Sequence, residues 1–128
     1  MKHHVLVLDD EADVRTAIGM QLKDTHFEIL EAKNMEQAIG LLADNSISID
    51  VIICDVRMPG VSGVEAVATF QREYPTTPVI VLTGFPDVGL AVDFMKKQDV
   101  VDFLTKPVEK DRLIETVERA AQGRKLFE

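Results

Sequence analysis

The chain has 128 residues, of which 46% are hydrophobic and 28% charged, and these proportions predict one globular domain over residues 1–128 with a sizeable core. Its net charge of −8 argues against direct nucleic-acid binding, because phosphate backbones attract basic surfaces. No apolar run is long enough to span a membrane and no secretion signal precedes the first strand, so a cytoplasmic protein is expected. A single cysteine, Cys54, excludes an internal disulfide framework.

Apolar runs typical of strands alternate along the chain with segments of helical periodicity. Strands are predicted at 3–9, 27–30, 51–54, 79–82 and 100–105. The helices have their apolar stripes within 12–24, 35–42, 64–68, 88–95 and 109–122, and a short tail follows at 123–128. Asn34 is a candidate N-cap with Gln37 three residues later, and Gly123 is the expected stop of the last helix.

The composition of the strands predicts their places in a sheet. The first, third and fourth are continuously apolar, as strands buried on both faces are. Glu28 and Asp102 interrupt the second and fifth, which favours positions at the edges. The alternation implies a parallel sheet with helices on both faces. The predicted fold is α/β, a five-stranded flavodoxin-like (βα)5 sheet compatible with strand order 2-1-3-4-5, although hydrophobicity alone does not order the inner three strands.

Polar side chains stand where the strands end. Asp9 and Asp10 follow the first strand, Asp55 the third, Thr83 the fourth and Lys106 the fifth. Parallel strands bring these residues to one edge, where ligands bind in such sheets. Crowded carboxylates repel one another unless a hard cation such as Mg²⁺ neutralises them. With a hydroxyl and an ammonium nearby, the set has the groups needed to move a phosphoryl group onto a carboxylate, that of Asp55.

The order and spacing of these residues resemble those of bacterial two-component response regulator receiver domains of the chemotaxis-regulator type, over nearly the whole chain. The matching stretches are D-D at Asp9, D-V-R-M-P-G-V-S-G from Asp55, T-G from Thr83 and D-F-L-T-K-P from Asp102. The resemblance implies a phosphorelay switch rather than an enzyme. A sensor histidine kinase or a phosphotransfer domain would phosphorylate Asp55, and the domain would catalyse only its own phosphorylation and dephosphorylation.

The resemblance also implies a metal site. Asp10 and Asp55 would bind Mg²⁺ directly, the backbone carbonyl of Arg57 would complete the protein ligands, and Asp9 would support the ion through water. These roles are carried over from the family by position in the motifs. They do not follow from spacing alone.

A switch is implied as well. Thr83 would lie beside the phosphoryl group, and Phe103, three residues before Lys106, holds the position of the switch aromatic. A phosphoryl group on the aspartate would draw the threonine hydroxyl toward it and let the ring turn inward. The Lys106–Pro107 peptide bond would be cis.

The fourth helix, fifth strand and fifth helix serve similar proteins as a surface for homodimerisation or partner docking. Charged residues that could complement a partner there are Lys96, Lys97, Asp111, Arg112 and Arg119. The sequence departs from the family just before the fifth strand, where K-K-Q-D-V-V from Lys96 replaces the common Gly-Ala and is one residue longer. The loop beside this surface is therefore expected to differ locally from the family, whereas the phosphorylation site follows the family pattern.

Two other functions are alternatives for a sheet of this kind. A haloacid dehalogenase-type phosphatase also forms an aspartyl phosphate with Mg²⁺, but it needs a second acid two residues after the nucleophile, and that position after Asp55 is Arg57. Taking Asp9 as the nucleophile places Glu11 there, yet leaves the Asp55 motif unexplained. A dinucleotide-binding domain requires a glycine-rich turn after the first strand, where this chain reads D-E-A-D-V.

Overall fold

The structure is a computed structural model that describes residues 3–44, 47–58, 61–84, 89, 92–93, 96 and 100–126. Five strands form the main sheet: β1 His3–Leu8, β2 Phe27–Ala32, β3 Ile49–Asp55, β6 Val79–Gly84 and β7 Asp102–Lys106. Two short strands, β4 Arg57–Met58 and β5 Val61–Ser62, pair antiparallel in a separate ribbon. The helices are α1 Ala12–Gln21, α2 Met35–Ala43, α3 Gly63–Glu73 and the C-terminal helix Lys110–Leu126.

The strands of the main sheet are all parallel and lie in the order β2-β1-β3-β6-β7. Counted among the sheet strands alone, this is the predicted order 2-1-3-4-5, and the flavodoxin-like fold is confirmed. The three continuously apolar strands occupy the centre, where both of their faces are covered. Glu28 and Asp102 lie on the two edge strands, as their polarity predicted.

Helices cover both faces of the sheet, so the core has two layers. Along β1, Val5 and Val7 join one buried cluster and Leu6 and Leu8 the other, because successive side chains of a strand point to opposite faces. The first cluster is completed by α1 and the C-terminal helix, and the second by α2 and α3. Phe70 of α3 is fully buried in the second cluster. This packing fixes the sheet whose carboxyl edge holds the polar residues.

The start of α2 follows the predicted capping pattern. Oδ1 of Asn34 accepts a hydrogen bond of 2.9 Å from the backbone N–H of Gln37. The Gln37 side chain reaches back and accepts one of 2.9 Å from the N–H of Lys33. The first bond satisfies a backbone donor that the first turn leaves free, and the second holds the residue before the N-cap, so the helix begins at Met35.

Several boundaries differ from the predictions. The first helix ends at Gln21, not at residue 24, and Ala17 is exposed rather than part of the buried stripe. The last strand begins at Asp102 instead of Val100. The C-terminal helix continues through Gly123, whose backbone is not left-handed. A glycine with helical dihedral angles costs a helix only about 1 kcal/mol, so it need not end one.

Most of the predicted fourth helix lies outside the described residues, including Val88, Ala91 and Met95, and so do Lys97, the 59–60 loop and the tail at 127–128. The described positions 89, 92–93 and 96 are helical, and Val92 is exposed rather than part of a buried stripe. None of the helices in the described part of the chain combines the length and the apolar composition needed to cross a bilayer.

Candidate functional site: an acidic pocket at the carboxyl edge of the sheet

Three aspartates meet at the edge where β1 and β3 end. Asp9, Asp10 and Asp55 each offer a carboxylate oxygen, and these oxygens lie within 4.8 Å of one another. Asp9 and Asp55 are buried, whereas Asp10 is exposed. The pocket therefore has two carboxylates in its floor and one at its mouth.

Lys106 brings an ammonium group into this pocket. Its Nζ lies 2.9 Å from Oδ2 of Asp9, 3.1 Å from Oδ2 of Asp55 and 3.5 Å from Oε1 of Glu11. Asp10 adds a fourth carboxylate, so in the described part of the site the carboxylates outnumber the ammonium that contacts three of them. The excess of negative charge is the condition that a divalent cation relieves.

Burial and charge alter the ionisation of both partners. Burial raises the pKa of Asp55, and the neighbouring Asp9 charge adds to the rise, while the Arg57 N–H and the Lys106 ammonium oppose it. Burial would lower the pKa of Lys106, but contacts with Asp9 and Asp55 outweigh it and raise that pKa to about 12. Lys106 is therefore a cation at neutral pH. Burial also raises the pKa of the Cys54 thiol, so this buried cysteine stays neutral.

Backbone N–H groups fix the orientation of the two buried carboxylates. Oδ1 of Asp55 accepts a hydrogen bond of 3.0 Å from the N–H of Arg57, and Oδ1 of Asp9 accepts one of 2.8 Å from the N–H of Glu11. In both cases the donor lies two residues further along the chain. The second oxygen of each carboxylate contacts Lys106. Both carboxylates are thus oriented before any ligand binds.

A glycine in the motif after Asp55 has a steric role. A Cβ atom on Gly63 would lie 2.5 Å from the carbonyl oxygen of Val56. Gly63 begins α3, and Val56 directly follows Asp55, so only a residue without a side chain lets the helix start this close to the site.

Thr83 lies one residue beyond the strand position that faces Asp55. In the register of β3 and β6, Asp55 is opposite Leu82. Thr83 is fully buried, and its hydroxyl donates a hydrogen bond of 3.3 Å to the carbonyl of Gly84. The structure thus places Thr83 at the predicted edge, with its hydroxyl directed along its own strand.

Phe103 lies further from the edge. It pairs with Val81 in the sheet and is only partly buried, against the cluster that α2 and α3 complete. The Lys106–Pro107 peptide bond is cis, which confirms the prediction. The metal-ligand roles of the aspartates and the Arg57 carbonyl, and the switch roles of Thr83 and Phe103, stay predictions.

A second ionic cluster was missed in the sequence. Asp102 is buried, and its Oδ1 and Oδ2 lie 3.1 Å from Nη2 of Arg112 and 3.2 Å from Nη1 of Arg119. The N–H of Phe103 donates to the same carboxylate at 2.8 Å. Both arginines, considered above as charges for a partner, are therefore engaged within the chain. Their spacing of seven residues, two helical turns, was the available signal that they share one face.

Arg15 was also missed. Its Nη1 donates a hydrogen bond of 2.6 Å to the backbone carbonyl of Asp9, and its Nε one of 3.0 Å to Oε1 of Glu31. Arg15 lies on α1 and Glu31 on β2. The contact depends on how helix and strand pack, which no local pattern reveals.

Comparison with known proteins agrees with this geometry. A family model described as "Response regulator receiver domain" matches residues 5–118. Transcriptional regulatory protein FixJ of Bradyrhizobium diazoefficiens is 34% identical over 119 residues, which are 93% of this chain and 57% of FixJ. Chemotaxis protein CheY of Listeria monocytogenes is 34% identical over 119 residues, 92% of this chain and 98% of CheY. The chain thus spans little more than half of one relative and nearly all of the other.

A crystal structure of a response regulator receiver domain protein from Clostridium thermocellum superposes with a TM-score of 0.88 at 31% identity, covering 98% of this chain and 99% of that one. NtrX from Brucella abortus, solved in complex with ATP, gives a TM-score of 0.89 at 28% identity, with 98% of this chain matching 28% of NtrX. Because the family model covers most of the sequence and the aligned relatives share its fold throughout, the chain belongs to the response regulator receiver domain family of two-component signalling.

Proposed function

We propose that the domain accepts a phosphoryl group on the carboxylate of Asp55 from a phosphohistidine of a sensor histidine kinase or phosphotransfer domain in the cytoplasm. The P–N bond of the donor breaks, its imidazole keeps the electron pair, and a P–O bond forms to Asp55. One observation carries the proposal. Asp55 is a buried carboxylate held by the Arg57 N–H and the Lys106 ammonium, in a pocket with more carboxylates than cations.

The donor set fits Mg²⁺, a hard cation that prefers oxygen ligands and accepts one or two carboxylates. Asp10 and Asp55 are assigned as direct ligands together with the Arg57 carbonyl. Asp9, whose Oδ1 accepts from the Glu11 N–H and whose Oδ2 contacts Lys106, would support the ion through water. When bound, Mg²⁺ would neutralise charge on the phosphoryl oxygens.

Lys106 has a second role in this scheme. Its ammonium already bridges Asp9 and Asp55, so it lies where oxygens of a phosphoryl group on Asp55 would arrive. A charge-assisted contact to these oxygens would stabilise the transferred group. Lys106 also balances part of the negative charge before a metal binds.

The response to phosphorylation would begin at Thr83. Its hydroxyl makes a long hydrogen bond of 3.3 Å to Gly84, which a charged phosphoryl oxygen could replace with a stronger one. The movement would vacate space for the partly exposed ring of Phe103 to turn inward. Phosphorylation would shift an existing equilibrium between two conformations of the domain. The shift can be no larger than the difference in the interaction free energy of the phosphoryl group with the two conformations.

The output surface is proposed to be the fourth helix, β7 and the C-terminal helix, used for a homodimer or a partner protein. The exposed side chains of Val92 and Val101 lie on this part of the chain. Since Asp102 engages Arg112 and Arg119, apolar contacts are expected to contribute more than the complementary charges do. The phosphatase alternative gains no support, since the residue two positions after Asp55 is Arg57, whose N–H binds that carboxylate.

The proposal is tested by intact-mass measurement after incubation with Mg²⁺ and acetyl phosphate. The wild-type protein should gain one phosphoryl group, and Asp55→Asn should gain none. Excess chelator should abolish the gain. An equal gain in the Asp55→Asn variant would overturn the site assignment, and undiminished transfer in chelator would overturn the role of the metal.

A further inference from the structure

The side chain of Arg15 connects the acidic pocket to the edge of the sheet. The side chain is only 14% exposed. It donates to the backbone carbonyl of Asp9 at 2.6 Å and to Glu31 of β2 at 3.0 Å. Both contacts are charge-assisted, and the first is short, as such hydrogen bonds are. Arg15 thus ties the end of β1 to the neighbouring edge strand.

The peptide plane explains why this contact matters for the pocket. The carbonyl of Asp9 and the N and Cα atoms of Asp10 belong to one rigid planar unit. A bond that fixes the carbonyl oxygen therefore also fixes the direction in which Asp10 leaves the strand. The Asp9 N–H is held as well, by a hydrogen bond of 3.1 Å to the carbonyl of Ala32 on β2. These two contacts of the Asp9 backbone, with Arg15 and with Ala32, therefore orient the backbone of the exposed Asp10.

We infer that Arg15 and Glu31 form a positioning pair that presents the Asp10 carboxylate to the cation. The inference rests on the proposed Mg²⁺ site. Neither residue binds the ion. Arg15 holds the Asp9–Asp10 peptide, and Glu31 holds the guanidinium in the orientation that reaches that peptide. Groups that hydrogen-bond directly to a metal ligand typically account for 10–100-fold in metal affinity, and Arg15, which acts through the adjacent peptide, is expected at the lower end of this range.

Charge and position have opposite effects, which makes the inference testable. A guanidinium near the pocket repels Mg²⁺, so removing its charge alone should strengthen binding. Removing the positioning contact should weaken binding. We expect the loss of the positioning contact to affect Mg²⁺ binding more than the loss of charge, because Glu31 at 3.0 Å already offsets the charge of Arg15.

The experiment is a Mg²⁺ titration at fixed ionic strength, by calorimetry or by backbone NMR shifts, on the wild type, Arg15→Gln, Glu31→Gln and the double variant. Arg15→Gln should raise the Kd for Mg²⁺ about tenfold. Glu31→Gln should raise it less, and the double variant should be no worse than Arg15→Gln alone, since the two residues act through one contact. A melting curve of each variant checks that it is folded.

Arg72→Gln is the matched control, because it removes the same charge from an exposed arginine on α3. It should leave the Kd nearly unchanged. Arg15→Lys keeps the charge but not the forked geometry, and it should fall between wild type and Arg15→Gln. If the wild type binds Mg²⁺ and Arg15→Gln binds it with an equal or lower Kd, the positioning role alone is overturned. Absence of Mg²⁺ binding in the wild type would contradict both this inference and the proposed metal site.

Discussion

Two clusters around buried carboxylates, one at the carboxyl edge of the sheet and one at the start of β7, are built differently. At the carboxyl edge, Asp9, Asp55 and Glu11 contact the ammonium of Lys106, and Asp10 lies beside the first two. At the start of β7, the carboxylate of Asp102 receives two arginines and a backbone N–H, and Arg119 also pairs with Glu115 at 2.7 Å. Among the described residues, the acids of the first cluster outnumber the cations that contact them, whereas the two acids and two arginines of the second balance.

The difference separates a binding site from a structural contact. A buried acid with two guanidinium partners has its lone pairs satisfied, and it ties β7 to the C-terminal helix. Buried acids that outnumber their cations cost free energy unless a ligand supplies positive charge. The charge balance of the two clusters therefore supports the cation and phosphoryl chemistry proposed for Asp55 and a structural role for Asp102.

The largest effect is expected at Lys106, whose ammonium contacts the buried carboxylates of the acidic pocket. Lys106→Met keeps the length of the side chain but removes the charge that faces Asp9 and Asp55. Phosphorylation by acetyl phosphate should slow about 100-fold, the usual loss for one group that stabilises transition-state charge. Mg²⁺ should nevertheless bind more tightly, because it no longer competes with the ammonium. Rate measurement by mass spectrometry and a Mg²⁺ titration report the two effects, and weaker Mg²⁺ binding would contradict the competition.

The balanced cluster should affect stability alone. Asp102→Ala should lower the free energy of unfolding by about 2 kcal/mol, less than for a fully buried pair because both arginines are more than a third exposed and can rehydrate. Urea unfolding measures the loss. Asp102→Asn, which can still bind the Phe103 N–H, should lose less. The Mg²⁺ affinity should stay at the wild-type value in both variants. A large change in this affinity would contradict a purely structural role for Asp102.

A pH-dependent gain in stability is expected from Asp55→Asn. Burial raises the pKa of Asp55, so the folded protein holds the proton of this carboxyl more tightly than the unfolded chain does. Below the unfolded pKa the carboxyl is protonated in both states. As the pH rises through the folded pKa, ionising the buried group costs stability. Without Mg²⁺, the melting temperature of Asp55→Asn should exceed that of the wild type by more at pH 7 than at pH 3. An equal difference at both pH values would contradict the raised pKa of Asp55.

The smallest effect is expected at Thr83. Thr83→Ala should still accept a phosphoryl group, because the hydroxyl bonds to Gly84 and not to Asp55 before phosphorylation. The ring of Phe103 should respond less than in wild type when beryllofluoride mimics the phosphoryl group, as followed by aromatic NMR. Identical Phe103 spectra with and without the mimic in wild type would show a fixed core ring and end this switch mechanism.

The sequence predicted most of the fold because the relevant signals are local. Continuous apolar runs marked the central strands, Glu28 marked an edge, and the residues at strand ends marked the pocket. Long-range contacts were missed, as the pairing of Asp102 with residues 10 and 17 positions later shows. Such contacts depend on how the C-terminal helix crosses β7. Helix ends were also missed, since Gly123 permits a stop but does not require one.

The contrast between the clusters is tested most directly by backbone NMR of the wild-type protein with Mg²⁺ and beryllofluoride. The account predicts the largest shifts at the amides of Asp10, Asp55, Arg57 and Lys106, smaller shifts at Asp102 and the arginines that hold it, and none without Mg²⁺. Shifts of equal size at Asp102, or the same shifts in the absence of Mg²⁺, would contradict the claim that the excess negative charge at the carboxyl edge makes it the site.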